Sequence, residues 1–323
     1  MSFHEQRRGR PERPRKRDQP VTPGRVAALG SLVAVAAVVV VIVLELAGGP
    51  GSHSAVSSLT ATSARSQARH GSTSRTATPT ARASVPILVY HVINTQPAGS
   101  SANPALYVPP DVFSSQMNAL KAAGWHAVTL NQVEAYWTRG TSLGAGKPIV
   151  ITFDDGYSSQ YVNALPILKG LGWVGVENLP LTGVPPSEGG LTETEIRGLL
   201  AAGWELGTQG LTQTDLVTLD PTQLSNQVTA ARQTMQSQFG VPVNWFSYPS
   251  GDYDATVIAA VRSAGYLGAT TVNPGWASPQ QDRFRLPRLV VVAGTTPSQL
   301  VAQIASAQTS TSIPSSYTRT GLA

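Results

Sequence analysis

From residue 85 to residue 307 the chain alternates short apolar, β-branched runs with segments of helical spacing. The runs VPILVYHVI (85–93), HAVTL (126–130), PIVITF (148–153), WVGVENLPL (173–181), WELGTQ (204–209), VNWFSYP (243–249), YLGATTV (266–272) and RLPRLVVV (285–292) read as strands. Between them, DVFSSQMNALKAAG (111–124) places Val112, Phe113, Met117 and Leu120 on one stripe and ends in glycine. LTETEIRGLLAAG (191–203) opens with a capping box, Thr192-x-x-Glu195. Pro166 inside the helical segment 158–172 predicts a kink, because proline removes a backbone donor. Residues 220–240 form the longest predicted helix. Repeated strand–helix alternation argues for an α/β fold with a parallel sheet. A distorted (β/α) barrel fits the length, with chemistry expected where strands end. A doubly wound open sheet is the alternative, but no glycine-rich phosphate loop follows the first strand.

Upstream of this domain the composition changes. Residues 1–25 hold eight Lys/Arg and three Asp/Glu, whereas the remaining residues hold fifteen of each. The basic pI is therefore a property of the tail, and a nucleic-acid role is not expected of a domain without a basic excess. Residues 26–47 (VAALGSLVAVAAVVVVIVLELA) have only Ser31 and Glu45 as polar side chains, and 22 residues at 1.5 Å each suffice to cross a bilayer core of about 30 Å. Basic residues precede this run, which predicts a single-pass anchor in the cell membrane, N-terminus cytoplasmic and C-terminal domain extracellular. Secretion after cleavage near residues 48–55 is the alternative. Residues 48–84, rich in Ser, Thr and Ala and free of acidic residues, read as a disordered linker. Residues 308–323 read as a disordered tail. Cysteine is absent, which excludes disulfides and thiolate chemistry.

The sharpest chemical signal is IVITFDDGY (149–157), where two aspartates end a buried strand and a glycine follows. Adjacent carboxylates cannot both ionise cheaply without a cation or a proton. A metal on one and a general-base role for the other is the usual solution; a polar turn with one Asp capping the next helix is the plainer one.

The wider pattern resembles the polysaccharide deacetylase family, the NodB-homology carbohydrate esterases (carbohydrate esterase family 4). PILVYHVI resembles the opening run of one subgroup, TFDDGY the family's most specific motif, FSYPSGDYD its third motif and FRLPRLVV its late strand. The resemblance covers residues 86–292. It implies a distorted (β/α) barrel that hydrolyses N-acetyl groups from amino-sugar polymers such as peptidoglycan, chitin or poly-N-acetylglucosamine, with a divalent metal, commonly zinc. It implies Asp154 as base, Asp155 as metal ligand, His91 as an active-site acid and the backbone N–H of Ser250 as oxyanion donor. Taken alone, a histidine in an apolar strand is more often a satisfied core residue. Arg288 is expected either to orient a catalytic carboxylate or to sit in a surface ion pair.

Two stretches depart from the family's pattern. In GTQGLTQTDL (207–216) the resemblance places Gln209 and Gln213 where two metal-binding histidines are written. Glutamine offers only a neutral carbonyl oxygen, while zinc sites are built from imidazole, thiolate and carboxylate. In WVGVENLPL, Glu177 and Asn178 replace packing residues. The expected arrangement is a bent edge strand with Glu177 in solvent; the sharper one is that Glu177 points into the barrel and supplies the lost ligand charge. Glu177 paired with Asp154 would also suit glycoside hydrolysis. The sequence thus predicts a membrane-anchored deacetylase-like protein with impaired activity, or an inactive glycan-binding or scaffolding relative.

Overall fold

The computed structural model describes residues 82–100, 102–183, 189–308 and 312–318. The predicted tail (1–25) and span (26–47), and the linker up to residue 81, lie outside the described residues. Among the described residues, no helix is long and apolar enough to cross a membrane.

Among the described residues, nine strands and seven α-helices follow one another in chain order: β1 (Val85–Tyr90), α1 (Pro110–Ala122), β2 (Trp125–Ala127), α2 (Leu130–Arg139), β3 (Lys147–Asp154), α3 (Leu165–Leu171), β4 (Val176–Leu179), α4 (Glu193–Ala201), β5 (Glu205–Thr208), α5 (Pro221–Phe239), β6 (Trp245–Ser247), α6 (Ala255–Ser263), β7 (Gly268–Thr270), β8 (Trp276–Ala277), β9 (Leu289–Val290) and α7 (Pro297–Ala307). The sheet runs β7-β6-β5-β4-β3-β1-β8, with β2 beside β3 and β9 beside β1. All pairings are parallel except β1 with β8. The sheet is curled. One bridge between Thr270 and Leu286, continued by β9 against β1, brings the far edge back toward the first strand.

Side chains alternate between two faces along each strand. On the outer face Tyr90, Ile151 and Phe153 pack with Phe113 and Met117 of α1 and with Leu300 of α7. Phe153 stacks on Trp204 with ring centroids 4.9 Å apart. Each such buried side chain contributes roughly 1.5–3 kcal/mol. On the inner face Ile87, Val150, Val176, Trp245 and Leu286 fill the lower part of the curl. Above them the inner face turns polar, with Thr152, Asp154, Asn178 and Ser247 all buried.

Local signals place the helices. Thr192 and Glu195 form the predicted capping box of α4, and Thr129 with Gln132 form another at α2. The helix through Pro166 is not merely kinked: a π-helical turn (Gln160–Ala164) precedes α3. Pro166 excludes the carbonyl four residues back, at Val162, so the disruption falls inside that turn. The disorder predicted after residue 307 does not extend over 312–318, where Tyr317 pairs with Tyr253 in an antiparallel bridge.

Candidate active site

The inner polar layer centres on Asp154, the last residue of β3. Arg288 grips it with two hydrogen bonds, from Nη1 to Oδ1 and from Nη2 to Oδ2, both 2.8 Å. Asn178 Nδ2 donates to Oδ1 at 3.0 Å, and Ser247 Oγ to Oδ2 at 3.2 Å. Arg288 is 1% exposed, so it is no surface ion pair. Its remaining donors reach Thr152 Oγ1, Ser247 Oγ and the carbonyl of Thr271, so all five N–H groups are used. Burial pushes the Asp154 carboxyl up. The Arg288 guanidinium, with help from His91 and Asn178, outweighs burial and holds it below the usual carboxylate range. Asp154 is a charged, four-fold-bonded anion.

Asp155 is held differently. Its φ of 78°, followed by Gly156 at the same angle, swings its side chain out of the strand and toward the loop after β5. Its N–H is shared between the carbonyl of Asn178 and Gln209 Oε1, both at 3.0 Å. Gln213 Nε2 donates to Asp155 Oδ1. Those partners fix each amide's orientation: Gln209 turns its oxygen to a backbone donor, and Gln213 turns its nitrogen to the carboxylate. The loop is shaped from below by Gln227 of α5, whose Oε1 accepts from Leu211 N and Thr212 N. Burial, and secondarily the neighbouring Asp154 charge, raise the Asp155 carboxyl, against the lowering effects of His91 and the two glutamines.

This donor set does not fit zinc. Gln209 offers only a neutral carbonyl oxygen, already accepting the Asp155 N–H, and Gln213 presents an N–H donor where a ligand lone pair is needed. Among the described residues no group of three His, Asp or Glu side chains is placed to hold a metal.

The other predicted residues spread over the same end of the curl. His91 follows β1, and its Nδ1 is buried with no hydrogen-bond partner. It lowers the proton affinity of both Asp154 and Asp155, which places it beside the pair. Ser250 is exposed in the turn after β6 with φ 56°, a left-handed conformation that turns its backbone away from the helix to come.

Glu177 is in neither predicted place. β4 lies between β3 and β5, so it is no edge strand, and Glu177 is 1% exposed. Register pairs it with Phe153 and Leu206, both on the helix-covered outer face. Both carboxyl oxygens lack partners. Burial, and then the Asp154 and Asp155 charges, push the carboxyl well above its ordinary value. A carboxyl on the opposite face supplies no ligand to the Asp155 site and makes no glycosidase pair with Asp154.

Three residues of the site escaped sequence reasoning. Asn178 and Ser247 face inward onto Asp154. Gln160 is fully buried, and its Nε2 donates to the carbonyls of His91 and Asp154, both at 2.8 Å, tying the ends of β1 and β3 together. Period-two alternation would have shown that Glu177 and Asn178 face opposite ways. Choosing which faces inward needs the register.

Comparison with known proteins meets this geometry. A family model described as polysaccharide deacetylase matches residues 143–269, from before the paired aspartates to β7. The relative YxkH of Bacillus subtilis (strain 168), whose name places it among polysaccharide deacetylases, is 29% identical over 224 residues, covering 69% of this chain and 77% of its own. The chain thus carries a match to the polysaccharide deacetylase model and is similar to a relative of that name. The solved Streptococcus pyogenes deacetylase PplD, in complex with acetate, superposes with a TM-score of 0.64 at 25% identity, over 69% of this chain and 99% of that one. IcaB from Ammonifex degensii shares the fold, with a TM-score of 0.58 at 20% identity, over 68% of this chain and 96% of that one. Polysaccharide deacetylases are typically metal-dependent.

Proposed function

We propose that this protein is a membrane-tethered member of the polysaccharide deacetylase family that holds N-acetylated amino-sugar polymers outside the cell and has lost most of the family's hydrolytic power. The observation that carries the proposal is the clasp: Gln209 and Gln213 are hydrogen-bonded to Asp155, with no imidazole in either place. Without a Lewis acid the attacking water is not activated. Asp154 is a poor substitute base, since Arg288, Asn178 and Ser247 occupy both of its oxygens and hold it ionised at low proton affinity. The polar end of the curl, with His91, Asp155 and the exposed Ser250 turn, still offers groups complementary to an acetamido sugar. The basic tail and the apolar run 26–47 support the membrane tether, and the peptidoglycan, chitin-like or poly-N-acetylglucosamine class of polymer follows from the family.

The test compares wild type with the double variant Gln209→His/Gln213→His. Wild type is expected to bind N-acetylglucosamine oligomers while releasing acetate at least about a hundredfold more slowly than the zinc-loaded double variant. Equal acetate release by both proteins would refute the proposal. Absence of oligomer binding by wild type would remove its glycan-holding half.

A further inference from the structure

The C-terminal segment 312–318 meets the domain at the third motif and at Arg285. Tyr253 N donates to Tyr317 O and Tyr317 N to Tyr253 O, both at 2.9 Å. The Tyr253 hydroxyl donates to the carbonyl of Pro314 at 2.9 Å, and Arg285 Nη1 reaches the same oxygen at 3.0 Å. Tyr253 is fully buried, with its ring 5.1 Å from that of Tyr248, and Tyr317 packs on the same cluster. From this anchor two connections lead to the site. One runs back along the chain through Gly251 to Ser250; the turn is tight enough that a Cβ on Gly251 would lie 2.4 Å from Val272 Cγ2. The other runs through hydrogen bonds: Asn273 Nδ2 donates to the Tyr253 hydroxyl at 3.0 Å, Arg288 N donates to the Asn273 carbonyl at 3.0 Å, and Arg288 holds Asp154.

We propose that residues 312–318 are a positioning strap, which fixes Tyr253 and through it both the Ser250 turn and the Asn273–Arg288 connection to Asp154. The last described segment of the chain is then part of the site's wall. An exposed turn with φ above zero has little local reason to stay in one conformation, and two backbone hydrogen bonds with a buried tyrosine supply that reason. The strap acts on the glycan-holding function proposed above and rests on that reading for its ligand.

The experiment uses the full chain and two variants. Tyr317→Pro deletes the N–H that donates to Tyr253, while Tyr317→Ala keeps both backbone bonds. Amide hydrogen exchange at 250–253 is expected to accelerate about tenfold in the proline variant and less than about threefold in the alanine variant. Exchange in β3 should stay unchanged in both. Affinity for an N-acetylglucosamine oligomer is expected to fall about tenfold in the proline variant alone. Unchanged exchange at 250–253 in the proline variant overturns the strap. Acceleration spread equally into β3 also overturns it, because the segment would then support the whole domain. If wild type binds no oligomer, the glycan-holding reading falls, while the exchange data still decide the strap.

Discussion

Phe153–Glu177–Leu206 and Asp154–Asn178–Gly207 are neighbouring rows of one sheet, one residue apart on three strands. Each row carries a buried carboxyl. Asp154 meets a guanidinium, an amide and a hydroxyl, and its proton affinity drops. Glu177 has no hydrogen-bond partner, and burial with the nearby aspartate charges raises its proton affinity. Depth is the same, since both residues are at most 3% exposed. The face decides whether a buried carboxyl finds partners that lower its proton affinity or is left without them. Gly207 shows how closely the inner row is fitted: a Cβ there would lie 2.2 Å from Asn178 Oδ1.

Removing the compensation on the inner row is expected to have the largest effect. Arg288→Met leaves Asp154 buried without its cation and should cost about 3–5 kcal/mol in denaturant unfolding. Adding Asp154→Asn should recover a large part of that loss, and failure to recover it would mean that Arg288 acts through packing alone.

Next comes Glu205, which faces inward in register with Val176 at the opposite end of the sheet. Its Oε2 accepts from Asn131 N at the start of α2, its Oε1 has no partner, and burial raises its carboxyl to about 7. A raised folded-state value means stability that is full below the unfolded value and lost as pH rises through the folded one. Between the ordinary glutamate value of 4.5 and about 7 the loss should reach about 3 kcal/mol. Thermal melts from pH 4 to pH 8 should show that loss in wild type relative to Glu205→Gln; parallel curves would contradict it.

The outer row should respond in the opposite direction to Arg288. Glu177→Leu removes an unpartnered polar group and is expected to stabilise by about 1–3 kcal/mol at pH 5, where ionisation adds little. Because the folded-state value of Glu177 is raised, the advantage should widen as pH increases. A destabilised Glu177→Leu protein would show that the carboxyl has a partner worth keeping.

Much of this contrast was legible in the sequence. Strand–helix alternation gave the fold class, and the capping box at Thr192 marked the start of α4. TFDDGY marked the end of β3, and the glutamines at 209 and 213 stood out against the motif they replace. What was not legible depends on register and closure. Whether Glu177 or Asn178 faces Asp154 is set by hydrogen bonds to β3 and β5, which a one-residue slip would reverse. Arg288 lies 134 residues from Asp154, and only the return of the sheet edge through Leu286 brings it inside. Gln160 serves the site from a π-helical turn, where simple helical spacing misplaces side chains. The ordering of 312–318 follows from a partner strand segment at Tyr253, which composition alone cannot reveal.

The central claim is that the clasp on Asp155 takes the place of a metal site. Zinc titration of the metal-free protein, followed by metal content after gel filtration, tests it most directly. The account predicts far less than one zinc per chain in wild type and close to one in Gln209→His/Gln213→His. Near-stoichiometric zinc retained by wild type and lost on Asp155→Asn would contradict it.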